Sequence, residues 1–127
     1  MGEPKQNFLV KVIENLTQPD NQLVAQELSK AATASGSTLV QDLKRGQLIQ
    51  VSGVINSATT RPEKSVPAYE IEIFDGSGII NAIWLGRSVV RGVIPGKYIS
   101  VEGRITFLSA RPTIYNPYYT LLSREHD

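Results

Sequence analysis

Two stretches of the chain repeat at a constant offset of 50 residues, and this repeat constrains the fold more than any other feature. Laid over each other, RGQLIQVSGVINSATTRP (45–62) and PGKYISVEGRITFLSARP (95–112) agree at Gly46/Gly96, Ile49/Ile99, Val51/Val101, Gly53/Gly103 and Ile55/Ile105. Arg61-Pro62 matches Arg111-Pro112 at the same offset. Apolar residues alternate through both stretches, the period of a strand with one buried face. Glycine weakens a strand interior, so Gly53 and Gly103 at equivalent places point to sharp bends or bulges. Two equivalent strands are expected, each curling at its glycine and delivering an Arg-Pro pair into the loop beyond.

Three further segments share the period of two. AYEIEIF sets Tyr69, Ile71 and Ile73 against Glu70, Glu72 and Phe74, IINAIWL follows it, and TIYNPYYTLL closes the series. RSVVRGVIPG leaves room for no more than a helical turn or two. The expectation is mainly β: five short, mostly antiparallel strands over residues 41–124, with a brief helical link between the third and fourth.

The first third reads differently. Phe8, Leu9, Val12, Ile13 and Leu16 recur at helical spacing, Pro19 interrupts with Thr17 and Asp20 as capping residues beside it, and Leu23, Val24, Glu27, Leu28 and Ala31 resume. TASGS (33–37) ends the pattern at Gly36. Residues 1–40 are therefore expected to form a helical appendage, broken at Pro19, whose apolar stripe must dock on the rest of the chain or on another copy.

DGSGIINAIWLG (75–86) poses a choice between a phosphate-cradling loop and a turn. A phosphate loop leads from strand into helix and exposes backbone N–H groups there. Here a strand pattern follows, with no Lys-Ser or Lys-Thr pair, so Asp75–Gly78 reads as a hairpin turn. Alternation groups Trp84, the only tryptophan, with Ile80 and Ala82. It is either a core residue or, near its strand end, an aromatic platform for a base.

The ordered set VSGVI (51–55), DGSGIINAIW (75–84), PGKYISVEGRI (95–105) and RPTIYNPYYTLL (111–122) resembles bacterial OB-fold domains that bind single-stranded nucleic acid. The likeness is to the OB domains of the RecG helicase wedge and the replicative polymerase, and to small stand-alone actinobacterial proteins. It covers about two-thirds of the chain and leaves the helical segment out. It implies a five-stranded Greek-key barrel whose cleft is the strand 2–3 face with the loops after strands 1 and 4, here about 57–68 and 108–112. Those loops carry Arg61, Lys64 and Arg111, and the strand 3–4 link carries Arg87 and Arg91. Arg61, Lys64, Arg87 and Arg111 are the expected phosphate contacts, since a guanidinium fork matches phosphate oxygens. Tyr115, with Trp84, is the expected stacker. Asn81 either bonds a base edge or faces water. Glu70 and Glu72 share one face of strand 2 and would repel phosphates if that face is the cleft.

Composition narrows the remaining classes. Apolar residues make up 41% and charged residues 20%, ordinary for a globular domain. A formal net charge of +1 announces no nucleic-acid partner by itself. With no cysteine and one histidine, His126, thiol chemistry is excluded and a His-centred triad or metal site has no material. No enzymatic activity, metal or cofactor is expected, and a reducing cytoplasm suits the chain. No apolar run has the length of a membrane span. The resemblance makes single-stranded DNA, ahead of RNA, the expected partner, bound with weak sequence preference. The rival reading is a protein-interaction or assembly module, a homo-oligomer formed through the helix or a barrel edge.

Overall fold

The structure, a computed structural model, describes residues 19–122. The stripe from Phe8 to Leu16, the Thr17 cap and His126 lie outside the described residues. Helix α1 (Pro19–Ala34) leads through one 3-10 turn at Val40–Asp42 into the strands. These are β1 (Leu48–Glu63), β2 (Val66–Phe74), β3 (Ile79–Leu85), β4 (Tyr98–Leu108), β5 (Arg111–Tyr115) and β6 (Tyr118–Leu122). β1 pairs antiparallel with β2, β2 with β3 and β4 with β5, while β3 and β5 run parallel. Antiparallel pairing of β4 with β1 closes a ring of five strands, and β6 is added to β4.

The alternation read from the sequence fills this ring. Val51, Ile55, Tyr69, Ile71, Ile73, Ile80, Ala82, Ile99, Val101, Ile105 and Ile114 form one buried cluster. Each buried aliphatic side chain contributes about 1.5–3 kcal/mol by leaving water. Trp84 joins them at 6% exposure, its indole N–H donating to the Pro117 carbonyl at 3.1 Å. Of the two roles open to it, the structure places it in the core.

The repeat corresponds to a local two-fold relation. In the β1–β4 ladder Val51 faces Val101, Leu48 faces Arg104 and Val54 faces Tyr98. Gly46 N–H donates to Ile105 and Ile105 N–H to Gln47, while Gly96 N–H donates to Ile55 and Ile55 N–H to Lys97. The two sets of bonds exchange under the offset. Gly53 marks the place where β1 leaves β4 for β2, and a Cβ there would run into the Phe74 carbonyl and lie 2.9 Å from Ile73 Cγ2. At Gly103, where β4 passes from β6 to β5, a Cβ would lie 2.8 Å from Ile114 Cδ1. Close approach, not φ, favours glycine at both corners, most strongly at Gly53, where the neighbour is backbone and not a side-chain methyl.

The helix docks on the outside of the ring. Leu28 packs with Val54 and Phe74, backed by Val24, Ala25, Ile79 and Tyr98, and Ala32 is buried too. The buried stripe is therefore 24/25/28/32; Leu23, Glu27 and Ala31 are exposed, one helical step away from the expected face. Gly36, at φ 90°, ends the helix as expected, with Ser37 N–H bonded back to Ala32.

Three expectations change. The final strand is two strands, because Asn116 adopts φ 49° and Pro117 has no N–H to extend the ladder. The β3–β4 link contains no helix; Gly86, Gly92 and Pro95 break it into turns that carry the buried Val90 and Val93 into the core. The segment 57–68 is no loop: β1 and β2 continue as a hairpin to a two-residue turn at Lys64-Ser65, both at positive φ.

Candidate nucleic-acid interface

The outer surface of β1, β2, β3 and β5 forms the candidate face, and an extra residue in β1 decides what it presents. Strict alternation from Val51 and Ile55 would point Arg61 into the core. The register shifts at Asn56, so Ile55 faces Ile73 but Ser57 faces Glu72, and Ala58 turns inward opposite Ile71. Thr59 then pairs with Glu70 and Arg61 with Ala68 on the outer face. Across the sheet, Glu72 pairs with Asn81 and Glu70 with Ile83, while Asn81 pairs with Thr113 and Ile83 with Tyr115. Ile83 and Thr113, each 1% exposed, make a packed floor.

A continuous polar network lies over that floor. Arg61 Nε donates to Glu70 Oε1 at 2.9 Å and its NH1 to Glu63 Oε1 at 2.6 Å. Asn81 Nδ2 donates to Glu70 Oε2, and Asn81 Oδ1 accepts from Arg111 NH1 at 2.7 Å. Arg111 NH1 also lies 3.4 Å from Glu72 Oε2. The hydrogen bonds to Glu70 and then Glu63 raise the Arg61 pKa further above its ordinary value. Neither arginine stands in a loop. Arg61 is on the outgoing strand of its hairpin and Arg111 follows the Ser109-Ala110 turn on the returning strand, so the matched Arg-Pro pairs are equivalent in sequence but not in position. They nevertheless converge on one network. Each keeps N–H donors unspent, Arg61 at NH2 and Arg111 at Nε and NH2, with side chains 39% and 41% exposed.

The glutamates meet the sequence-based concern directly. Glu70 and Glu72 do stand on the face, but they bind its arginines. Three glutamates against two arginines leave the network with a formal charge of −1.

The other expected site residues divide. Lys64 and Tyr115 line one groove of about 400 Å³ with Glu63, Val66 and Leu85, at the hairpin end of the face. Arg87 and Arg91 are exposed on the β3–β4 link and line neither this groove nor the larger one described next. Trp84, buried, offers no ring face for stacking.

At the other end of the face a groove of about 1070 Å³ runs between α1, the Asp75–Gly78 turn and the β4–β5 hairpin. That turn is the hairpin expected. Asp75 is fully buried; its Oδ1 accepts from Ser77 N–H, Ser77 Oγ and Gly78 N–H, and its Oδ2 accepts from Val40 N–H at 2.8 Å. The acid thus ties the turn to the chain leaving α1 and to nothing that could be a ligand. Lys30 and Phe107, which line this groove, were missed in the sequence. The available signal was the polar row Gln22, Gln26, Lys30 at four-residue spacing, which sets a helix face apart from its apolar stripe.

No family model matches the chain, and no curated protein matches it. Solved structures do. The p204 HINb domain superposes with a TM-score of 0.57 at 15% identity, over 71% of this chain and 49% of that one. RecG bound to a three-way DNA junction gives 0.56 at 18% identity, over 69% and 12%. The fold is of the OB type. The Ifi202 HINa domain in complex with 20-bp double-stranded DNA agrees, at 0.55 and 12% identity over 70% and 48%. This chain spans about half the length of the two HIN chains and about an eighth of RecG. Among the described residues no group of His, Cys, Asp and Glu has the placement to hold a metal, and no helix is long and apolar enough to cross a membrane.

Proposed function

We propose that the protein binds nucleic acid without catalysis, as single strands and DNA ahead of RNA, across the outer β2–β3 face of its OB-type Greek-key barrel, and that it does so in the cytoplasm. The observation that carries this reading is the convergence of Arg61 and Arg111 on one face, each oriented by carboxylates and each with free donors. Prior orientation lowers the entropy lost when a phosphate is bound. Lys64 and Tyr115 at one end add a cation and a ring for stacking, worth about 1–3 kcal/mol per base. Arg87 contributes from the link at longer range. Two of the structurally similar proteins were solved with DNA, which supports the class of partner.

The test is fluorescence anisotropy of labelled dT and rU oligonucleotides with wild type and Arg61→Ala/Arg111→Ala at two salt concentrations. Binding that weakens with salt and falls in the double variant supports the reading. Equal binding by the variant removes the face from the site.

One observation favours a second reading, assembly. All five residues of β6 are exposed, Tyr118 to 82%, and among the described residues β6 pairs only with β4. None of the five residues of β6 carries a charge that would prevent antiparallel pairing with a second copy. Light scattering that finds a dimer for wild type and a monomer for Tyr118→Lys supports it; a wild-type monomer at high concentration removes it.

A further inference from the structure

Resting on that reading, we propose that helix α1 is one wall of the binding site, and that the unpaired strand continues from the β2–β3 face into the groove between α1 and the β4–β5 hairpin. Charge is the first argument. The groove lining includes Lys30 on the helix and Arg111 on the hairpin, and among the described residues contains no carboxylate. The adjoining network sets three glutamates against two arginines. An anionic strand therefore gains more in the groove than over the centre of the face. Arg111 belongs to both, so face and groove form one track.

Chemistry for bases is present as well. Phe107 lines the wall opposite the helix, with the Arg45 guanidinium 5.5 Å from its ring centroid, a pair on which a planar base can stack. Gln22, Gln26 and Gln41 line the groove with side-chain amides that have no partner among the described residues. An amide offers a donor and an acceptor together, the pairing that reads a base edge.

The helix is held as a wall should be. Ser29 Oγ donates to the Asp75 carbonyl at 3.1 Å, and Gly76, at φ 94°, admits the Ala25 carbonyl where a Cβ would collide. Behind these contacts Leu28 is buried against Val54 and Phe74.

The experiment uses the full chain, a labelled dT oligonucleotide of about 15 nucleotides, and the variants Lys30→Ala, Gln26→Ala and Lys97→Ala. Lys30 and Gln26 are exposed, so their loss tests contact and not folding; exposed Lys97, outside the groove, is the control. Lys30→Ala is expected to weaken binding about three- to tenfold and to reduce the salt slope by about 0.7 to 1, while Lys97→Ala changes neither. If wild type binds and Lys30→Ala behaves as Lys97→Ala does, the groove is overturned and the face reading stands. If wild type binds no oligonucleotide even at low salt, the reading beneath it fails as well. Displacement of the strand by an equal concentration of polyglutamate would instead assign the groove to an acidic peptide and overturn the proposal.

Discussion

Replacing Asp75 tests how the turn, the chain after α1 and the groove are held together. The buried carboxylate accepts four hydrogen bonds, three of them on Oδ1 from the turn and one on Oδ2 from Val40 N–H. In Asp75→Ala the Ser77 and Gly78 groups recover part of their bonding from water, being only partly buried. Val40 is buried, and its N–H would be orphaned at a cost of about 1–3 kcal/mol. Adding the lost charge-assisted bonds gives about 3–5 kcal/mol in total. Asp75→Asn retains an oxygen for the turn but sets its NH2 against Val40 N–H, so about 1–3 kcal/mol is expected. Urea unfolding followed by Trp84 fluorescence measures both, since the only tryptophan is a core residue. An Asp75→Ala protein within about 1 kcal/mol of wild type would refute the bonding scheme.

Other consequences follow from the same geometry. Gly53→Ala places a methyl against the Phe74 carbonyl and should cost about 2–3 kcal/mol, whereas Gly46→Ala, strained only by φ 89° in open space, should cost about 1; chemical denaturation compares them. The Tyr69 hydroxyl donates to the Val93 carbonyl at 2.6 Å, and burial raises its pKa above 10.0. Folding therefore keeps this contribution below that pH and loses it as pH rises through the raised value, so the urea midpoint of wild type should fall more steeply in alkali than that of Tyr69→Phe. Deleting Asn56 removes the extra residue and joins Ile55 directly to Ser57, so Ala58 should stay inward and Arg61 outward, with folding and binding retained, as circular dichroism and anisotropy would report. Lys30, Lys64 and Arg87 have no acidic partner among the described residues, while Arg61 and Arg111 do. Three effective contacts predict that raising salt from about 50 to about 200 mM weakens binding about 20-fold; a loss well beyond about 100-fold would mean that the glutamates do not offset the arginines.

Much of the ring was legible because alternation survives translation into structure residue by residue. Tyr69, Ile71 and Ile73 face inward and Glu70 and Glu72 outward as read, and Gly53 and Gly103 stand at the two corners the repeat indicated. The reading stopped where local signals end. Lys64-Ser65 and Ser109-Ala110 turn at positive φ without glycine, so the sequence carries no hairpin signal at either place. The Asn56 bulge carries no local signature, yet it sets the orientation of Arg61. The pairing of Arg61 and Arg111 with Glu70, Asn81 and Glu72 depends on cross-strand register, which spacing along the chain does not show. Helix phase was off by one step because Leu23 is apolar but exposed, and that shift concealed the row bearing Lys30.

The central claim is that single-stranded nucleic acid lies over the outer β2–β3 face and enters the α1 groove. Titrating a dT oligonucleotide into isotope-labelled protein and following backbone amide shifts tests it most directly. The account predicts the largest changes at Arg61, Asn81, Ile83, Arg111 and Tyr115, continuing to Gln26, Lys30 and Phe107. Shifts confined to β6 and the β3–β4 link, with those residues unmoved, would contradict it.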